Sequence, residues 1–315
     1  MLEYVVRRFA SFVIVLLILA LFAFSLVHMI PGDAALVMLG EEATPTTIEA
    51  LRQDLGLDQP LYVQFYRWVQ GILLRGDFGT SVYVPRSVAQ DIAQRLPVSF
   101  SLAAFTVMIS AFVGVPAGIV AAIKHGSWVD RLTIAATTIA VSMPEFWLGL
   151  MFVVLFAVQL RWFPSGGYVP LSESIGGFLR SLFLPSLALG LKWAALVARM
   201  SRSSMLDVMH EDYVNTARAK GLPEKVVLLK HVLRNAIVPI ITVLGLIFGV
   251  ALGGAIVIET IFTLPGVGRL LINSIARRDF PIIQGAILIY GLLFCLVNFG
   301  IDILYVYLDP RIKYG

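Results

Sequence analysis

The chain has 315 residues, 58% of them hydrophobic and only 14% charged, with a net charge of +4 and a mean hydropathy of +0.87. A soluble domain carries nearly twice that share of charge, so an ordinary soluble enzyme is excluded and the bilayer decides the fold. Long unbroken apolar runs exclude a β-barrel of short alternating strands, and a lone Cys295 excludes a disulfide framework or a multi-cysteine metal site.

Six apolar runs are predicted to be transmembrane helices: residues 9–30, 98–123, 132–160, 182–198, 237–262 and 282–308. Each can cross about 30 Å of hydrocarbon at 1.5 Å per residue. The sequence class is thus an all-α polytopic membrane protein. The first run follows Arg7 and Arg8, as in a signal peptide, but it is longer than a signal core and no small-x-small cleavage site follows closely. It is expected to remain as an uncleaved N-terminal transmembrane helix, residues 1–30.

Residues 31–97 form a polar loop subdomain. Thr47 is expected to cap a helix through IEALRQDLGL that Gly56 ends, and LYVQFYRWVQGILL forms a second, amphipathic helix rich in aromatics. Two roles are open for this loop: a cover over the outer helix ends, or an element that touches substrate. Residues 98–315 hold the other five helices as one core.

The second run carries Gly114 and Gly118, and the fifth carries Gly245, Gly249 and Gly253, all at four-residue spacing. Such faces let a helix approach closely, either within the chain or, for the fifth run, between two subunits. The third run is interrupted by SMPEFW. Pro144 should kink it, and Glu145 lies roughly 21 Å past Arg131 if the run is helical. A carboxylate at that depth faces protein or water, either lining a substrate path or fixing helix packing. Lys192 in the fourth run is about 10 Å deep, counted from the run's cytoplasmic end, so direct pairing with Glu145 looks strained.

Between the fourth and fifth runs lies the most informative stretch, 199–236, with seven cations. Asp207, Glu211 and Asp212 precede a helical YVNTARAK, Gly221 stops it, and Pro223 starts a basic second helix. The small residues Ala217, Ala219 and Gly221 would let a partner approach the backbone. The alternative is a solvated amphipathic loop. Lys and Arg counts set the orientation. With a cytoplasmic N-terminus the inner segments hold 13 and the short outer loops 5 (Arg161, Arg180, Arg269, Arg277, Arg278). Both termini are therefore expected inside.

No catalytic or nucleotide-binding constellation is present. There is no G-x-x-x-x-G-K-[ST] phosphate loop, H-E-x-x-H, C-x-x-C or G-x-S-x-G, and His28, His125, His210 and His231 are scattered. The chain is expected to be no enzyme and to hold no metal or other cofactor. Its basic charge reflects topology, so no nucleic acid is expected.

EDYVNTARAKGL followed by KHVLRNAIVP resembles the cytoplasmic coupling loop of ATP-binding-cassette importer permeases of the dipeptide, oligopeptide and nickel family. RRFASFVIVLL, GLDQPLYVQFYRWVQGILLRGDFGTS, SMPEFWLGL, ETIFTLPGVGRLL, RRDFPIIQG and DPRI match in order along the whole chain. The resemblance implies a type I importer permease fold in a bacterial plasma (inner) membrane, with a homologous second permease, two ATPase subunits that bind ATP and Mg, and an extracytoplasmic substrate-binding protein. By position it places the ATPase-coupling role on Glu211, Asp212, Tyr213, Thr216, Ala217, Arg218, Ala219, Lys220 and Gly221. Where the generic loop begins Glu-Ala-Ala, this chain has Asn215-Thr216-Ala217. Peptides are the favoured cargo and nickel, as a chelate, the alternative. A stand-alone secondary transporter would need inverted repeats with paired broken helices, and one broken run with no repeat is visible.

Overall fold

The computed structural model describes residues 2–29, 44–56, 58–84 and 86–308. Among them the structure is helical, with one isolated β-bridge between Thr80 and Ser87. The first element, α1, is Leu2–Met29. Two short helices follow, α2 (Pro45–Leu55) and α3 (Leu61–Arg75). The cap of α2 is Thr44, not Thr47. The Thr44 hydroxyl accepts from the Thr47 amide at 3.2 Å, and the Thr47 hydroxyl accepts from the Thr44 amide at 2.9 Å. Thr47 is thus the third-position partner of a reciprocal box, a role hydroxyl residues spaced by three can share. Gly56 ends α2 with φ +65°, as the turn requires.

Helix α4, Val88–Ile123, begins ten residues before the apolar run it contains. Helix α5 is Trp128–Ser142, and α6 starts at Glu145 and ends in a π-helical stretch, Val153–Gln159. Together α5 and α6 form one apolar pair, bent by 95° at the break. The cause is local: Met143 (ψ 127°) and Pro144 (ψ 135°) are both extended, because proline disfavours a helical residue before it and lacks a donor for the helix ladder. Helix α7, Ile175–Met209, is 35 residues long and is capped by Ser174, whose hydroxyl accepts from the Gly177 amide.

Helix α8 is Asp212–Ala219. Helix α9 starts at Glu224, widens to π geometry over Val227–Val232 and runs on through Leu233–Gly254. The chain continues through α10 (Ile256–Ile261), α11 (Val267–Arg277) and α12 (Phe280–Leu308). Among the described residues five helices are long and apolar enough to cross a membrane, or six if the bent α5–α6 pair counts as one span.

The chain divides into two compact units. One holds Val98–Pro265 and the chain from Leu296 onward. Its core gathers Leu102, Leu182, Leu184, Leu189, Ile258, Phe262 and Leu264. The other holds Leu2–Pro97 and Gly266–Cys295. Here Val88 and Ile92 pack with Val267, Leu270, Ile282 and Ala286, which is why residues 266–295 fold with 2–97. Large apolar side chains such as Phe112, 84% exposed, point outward, as helices bathed in lipid permit.

Candidate functional site: the elbow between the fourth and fifth spans and the Glu145–Lys192 ion pair

The 199–236 segment folds as an elbow. Only His210 and Glu211 separate α7 from α8. Val214 and Ala217, three residues apart on one face of α8, are buried against Ala122 of α4, Met205 of α7 and Val227, Val232 and Ala236 of α9. Ala217 therefore packs on the chain's own core and is not turned outward for a partner. Glu211, Asp212, Tyr213, Asn215, Thr216, Ala219, Lys220 and Gly221 are exposed, and Arg218 is half-buried. The Tyr213 hydroxyl accepts from the Asn235 side-chain amide at 3.0 Å, and the Thr216 hydroxyl donates to the Asp212 carbonyl.

Gly221 reverses the chain at φ +76°, a conformation that suits glycine, and no heavy atom crowds the site where a Cβ would stand. Its amide donates to the Arg218 carbonyl at 2.9 Å. Arg218 then bridges the turn with a two-pronged contact to Glu224, at 3.0 and 3.2 Å. Hydrogen bonding to that carboxylate raises the guanidinium pKa further, so Arg218 is permanently charged. Pro223 leads directly into α9. The basic helix after the turn is thus continuous with the fifth span.

A second cluster lies just above. Arg202 of α7 donates to both oxygens of Asp130 in α5, at 2.6 and 2.8 Å. Asp130 also accepts from the Gly126 amide at 3.0 Å and lies 3.2 Å from His125 Nδ1. The Asp130 side chain is 3% exposed. Sequence reasoning missed this clamp. The visible signal was Asp130 three residues after Ser127, which reads as a helix start, while its partner is 72 residues away.

At midspan, Lys192 Nζ is 3.2 Å from Glu145 Oε2, so the pairing thought strained from depth counting is made. The count took the fourth span to end near Ala198, whereas α7 runs to Met209. The Arg202–Asp130 contact sets the relative level of the two helices, and Lys192 stands ten residues, about 15 Å, along α7 from it, within reach of Glu145 at the start of α6. Lys192 also stands 5.8 Å over the Trp193 ring. Glu259 of the ETIFTLP motif, near the C-terminal end of the fifth run, is fully buried and accepts a hydrogen bond from Ser99 at 2.6 Å.

The glycines divide. A Cβ on Gly114 would fall 2.6 Å from the Ala194 carbonyl oxygen, and one on Gly118 would meet the Ala198 carbonyl oxygen and Ser201 Cβ, so α4 and α7 touch along this face. Gly245 lies against Ile301 of α12, and Gly249 is buried. Gly253 has open space where its Cβ would be, so the fifth-span glycines do not form one uniformly packed face within the chain.

Residues 114–314 match the family described as binding-protein-dependent transport system inner membrane component, and residues 1–103 match the N-terminal region of such membrane components. The chain is 46% identical over 310 residues to a protein named as a peptide transport system permease in Brucella abortus (strain 2308), covering 98% of both chains. It is 43% identical over 314 residues, the full length of both, to the glutathione transport system permease protein GsiC of Escherichia coli (strain K12). Its fold is similar to a chain of the MetNI methionine ABC transporter in an inward-facing conformation, with a TM-score of 0.55 and 13% identity, covering 69% of this chain and 96% of that one. With a type I importer fold, an elbow between its fourth and fifth spans and matches along its whole length, this chain belongs to the binding-protein-dependent inner membrane permeases, the transport subunits of ABC importers that work with ATPase and substrate-binding partners.

Proposed function

We propose that this chain forms half of the translocation path for di- or oligopeptides, beside a homologous second permease and above two ATPase subunits that bind ATP and Mg. Its termini are cytoplasmic and residues 31–97 lie outside. The cargo reading is supported by relatives named for peptide and glutathione transport that match over the full length. The orientation reading is supported by the excess of Lys and Arg in the segments assigned to the inside.

In this reading α8 seats in a groove of one ATPase and transmits its closure to the fourth and fifth spans. The observation that carries it is the two-sided character of α8. Val214 and Ala217 anchor it to α4, α7 and α9, while Glu211, Asp212, Thr216, Ala219, Lys220 and Gly221 are left exposed on a short, stiff elbow. Such an element converts a push into span movement with no chemistry of its own. Glu145 lines the path, and Gly114, Gly118, Gly245 and Gly249 serve helix packing. Gly253, open within this chain, is assigned to contact with the second permease.

The test is reconstitution of the complex with its ATPases and binding protein in liposomes. Uptake of labelled peptides should require ATP and the binding protein. Uptake of a nickel chelate, with no peptide moved, would replace this cargo reading.

A further inference from the structure

We propose that the Glu145–Lys192 pair is a charge-reading station in the path. It opens to receive a zwitterionic peptide, with Lys192 taking the terminal carboxylate and Glu145 the terminal ammonium. This rests on the peptide-permease reading above.

The placement is unusual for a structural lock. The side chains are 35% and 24% exposed, although both residues lie about 15–20 Å along their helices from the Asp130–Arg202 contact, within the apolar runs. A half-open ion pair at that depth cannot face lipid at low cost, so its open side faces water or protein. Polar groups stand nearby in sequence: Thr138 and Ser142, four residues apart on α5 and both exposed, precede Glu145 across the Pro144 break. Their hydroxyls donate to the backbone at Ile134 and Thr138, which leaves oxygen lone pairs available.

The pair is joined by one contact at 3.2 Å and is not two-pronged, so it is easily parted. Glu145 is the first residue of α6, where the helix dipole favours an anion. Lys192 is a compact point charge on a flexible stem, able to swing to a carboxylate. Trp193 beside it packs with Val197, Ile240 and Ile247, which steadies the backbone from which Lys192 swings. A station that reads only the two termini suits cargo whose side chains vary.

The experiment uses the reconstituted complex with dialanine, its C-terminal amide and N-acetyl-dialanine. Uptake ratios in each variant are divided by those of wild type, so the binding protein's own preference cancels. Lys192→Gln should relax discrimination against the amide by about tenfold, the worth of one charged hydrogen bond, and leave that against the acetylated peptide unchanged. Glu145→Gln should do the reverse, and Lys192→Arg should preserve the wild-type ratios. A second measurement needs no variant: carbodiimide should join Glu145 to Lys192 in wild-type complex, and loaded peptide should protect the pair from joining. Equal loss of uptake for all three peptides, or cross-linking indifferent to peptide, would make the pair a structural lock and overturn the proposal. Wild type that moves none of the three would instead sink the peptide-permease reading beneath it.

Discussion

Arg202 grips Asp130 with two short hydrogen bonds, 2.6 and 2.8 Å, and thereby ties the start of α5 to the C-terminal half of α7. The same stretch of α7 carries Met205, which packs with α8. The clamp and the elbow therefore share one rod of helix.

Removing one partner of that clamp should be costly. Arg202→Ala leaves a carboxylate that is 3% exposed without its main partner, a loss of about 3–5 kcal/mol. Arg218→Ala breaks a pair that is 34% and 55% exposed, worth about 1 kcal/mol or less and weakened by salt. Thermal unfolding of the two variants in detergent compares them. Equal destabilisation would mean the Arg202 clamp is no stronger than a surface pair.

The turn at Gly221 gives a second prediction. Gly221→Val keeps every packing contact, since open space surrounds the Cβ position, but forces a branched residue to positive φ. The cost should be about 1–2 kcal/mol. The spans should still insert, and peptide-stimulated ATP hydrolysis should become uncoupled from uptake. Wild-type coupling in this variant would show that the geometry of the elbow is dispensable.

Ala217 and Ala219 differ by two residues and should fail differently. Ala217→Glu buries a charge in the chain's own core, costing several kcal/mol, and should lower the yield of the permease itself. Ala219→Glu adds a charge to the exposed side, so the permease should fold and insert while co-purification of the ATPase subunits falls. Should both variants lose permease and ATPase in step, α8 is a structural element and the docking reading fails.

Orientation is checked by labelling. Cysteines at Asp58 and Glu224, in a chain with Cys295→Ser, should react with an impermeant thiol reagent in intact cells at position 58 alone. Reaction at 224 and not at 58 would invert the topology.

Much of this was legible in the sequence because it depends on local rules. Pro144 broke its span, Gly56 and Gly221 took positive φ, and Gly221 and Pro223 framed the elbow, each for reasons confined to a few residues. What escaped were relations set by distance along the chain. Asp130 and Arg202 meet through the packing of α5 on α7, which no periodicity encodes. The Glu145–Lys192 pairing was misjudged because counts along two separate helices share no common zero, and the Arg202–Asp130 contact that sets their level is itself long-range. The inward face of Ala217 was equally hidden, since a small residue suits both a partner's approach and a tight core.

Between Met209 and Asp212 stand two residues, and between Ala219 and Glu224 four, the latter braced by Arg218 and Glu224. Links so short have almost no slack: two residues reach about 7 Å even fully stretched. A stroke of a few ångströms at α8 cannot be absorbed in its tethers and must arrive at α7 and α9 together. Pro185, where α7 could yield, lies beyond Lys192 as seen from the elbow, so the stretch from Met209 to Lys192 is free of proline. Force applied at α8 would therefore reach the Glu145–Lys192 pair with little lost on the way.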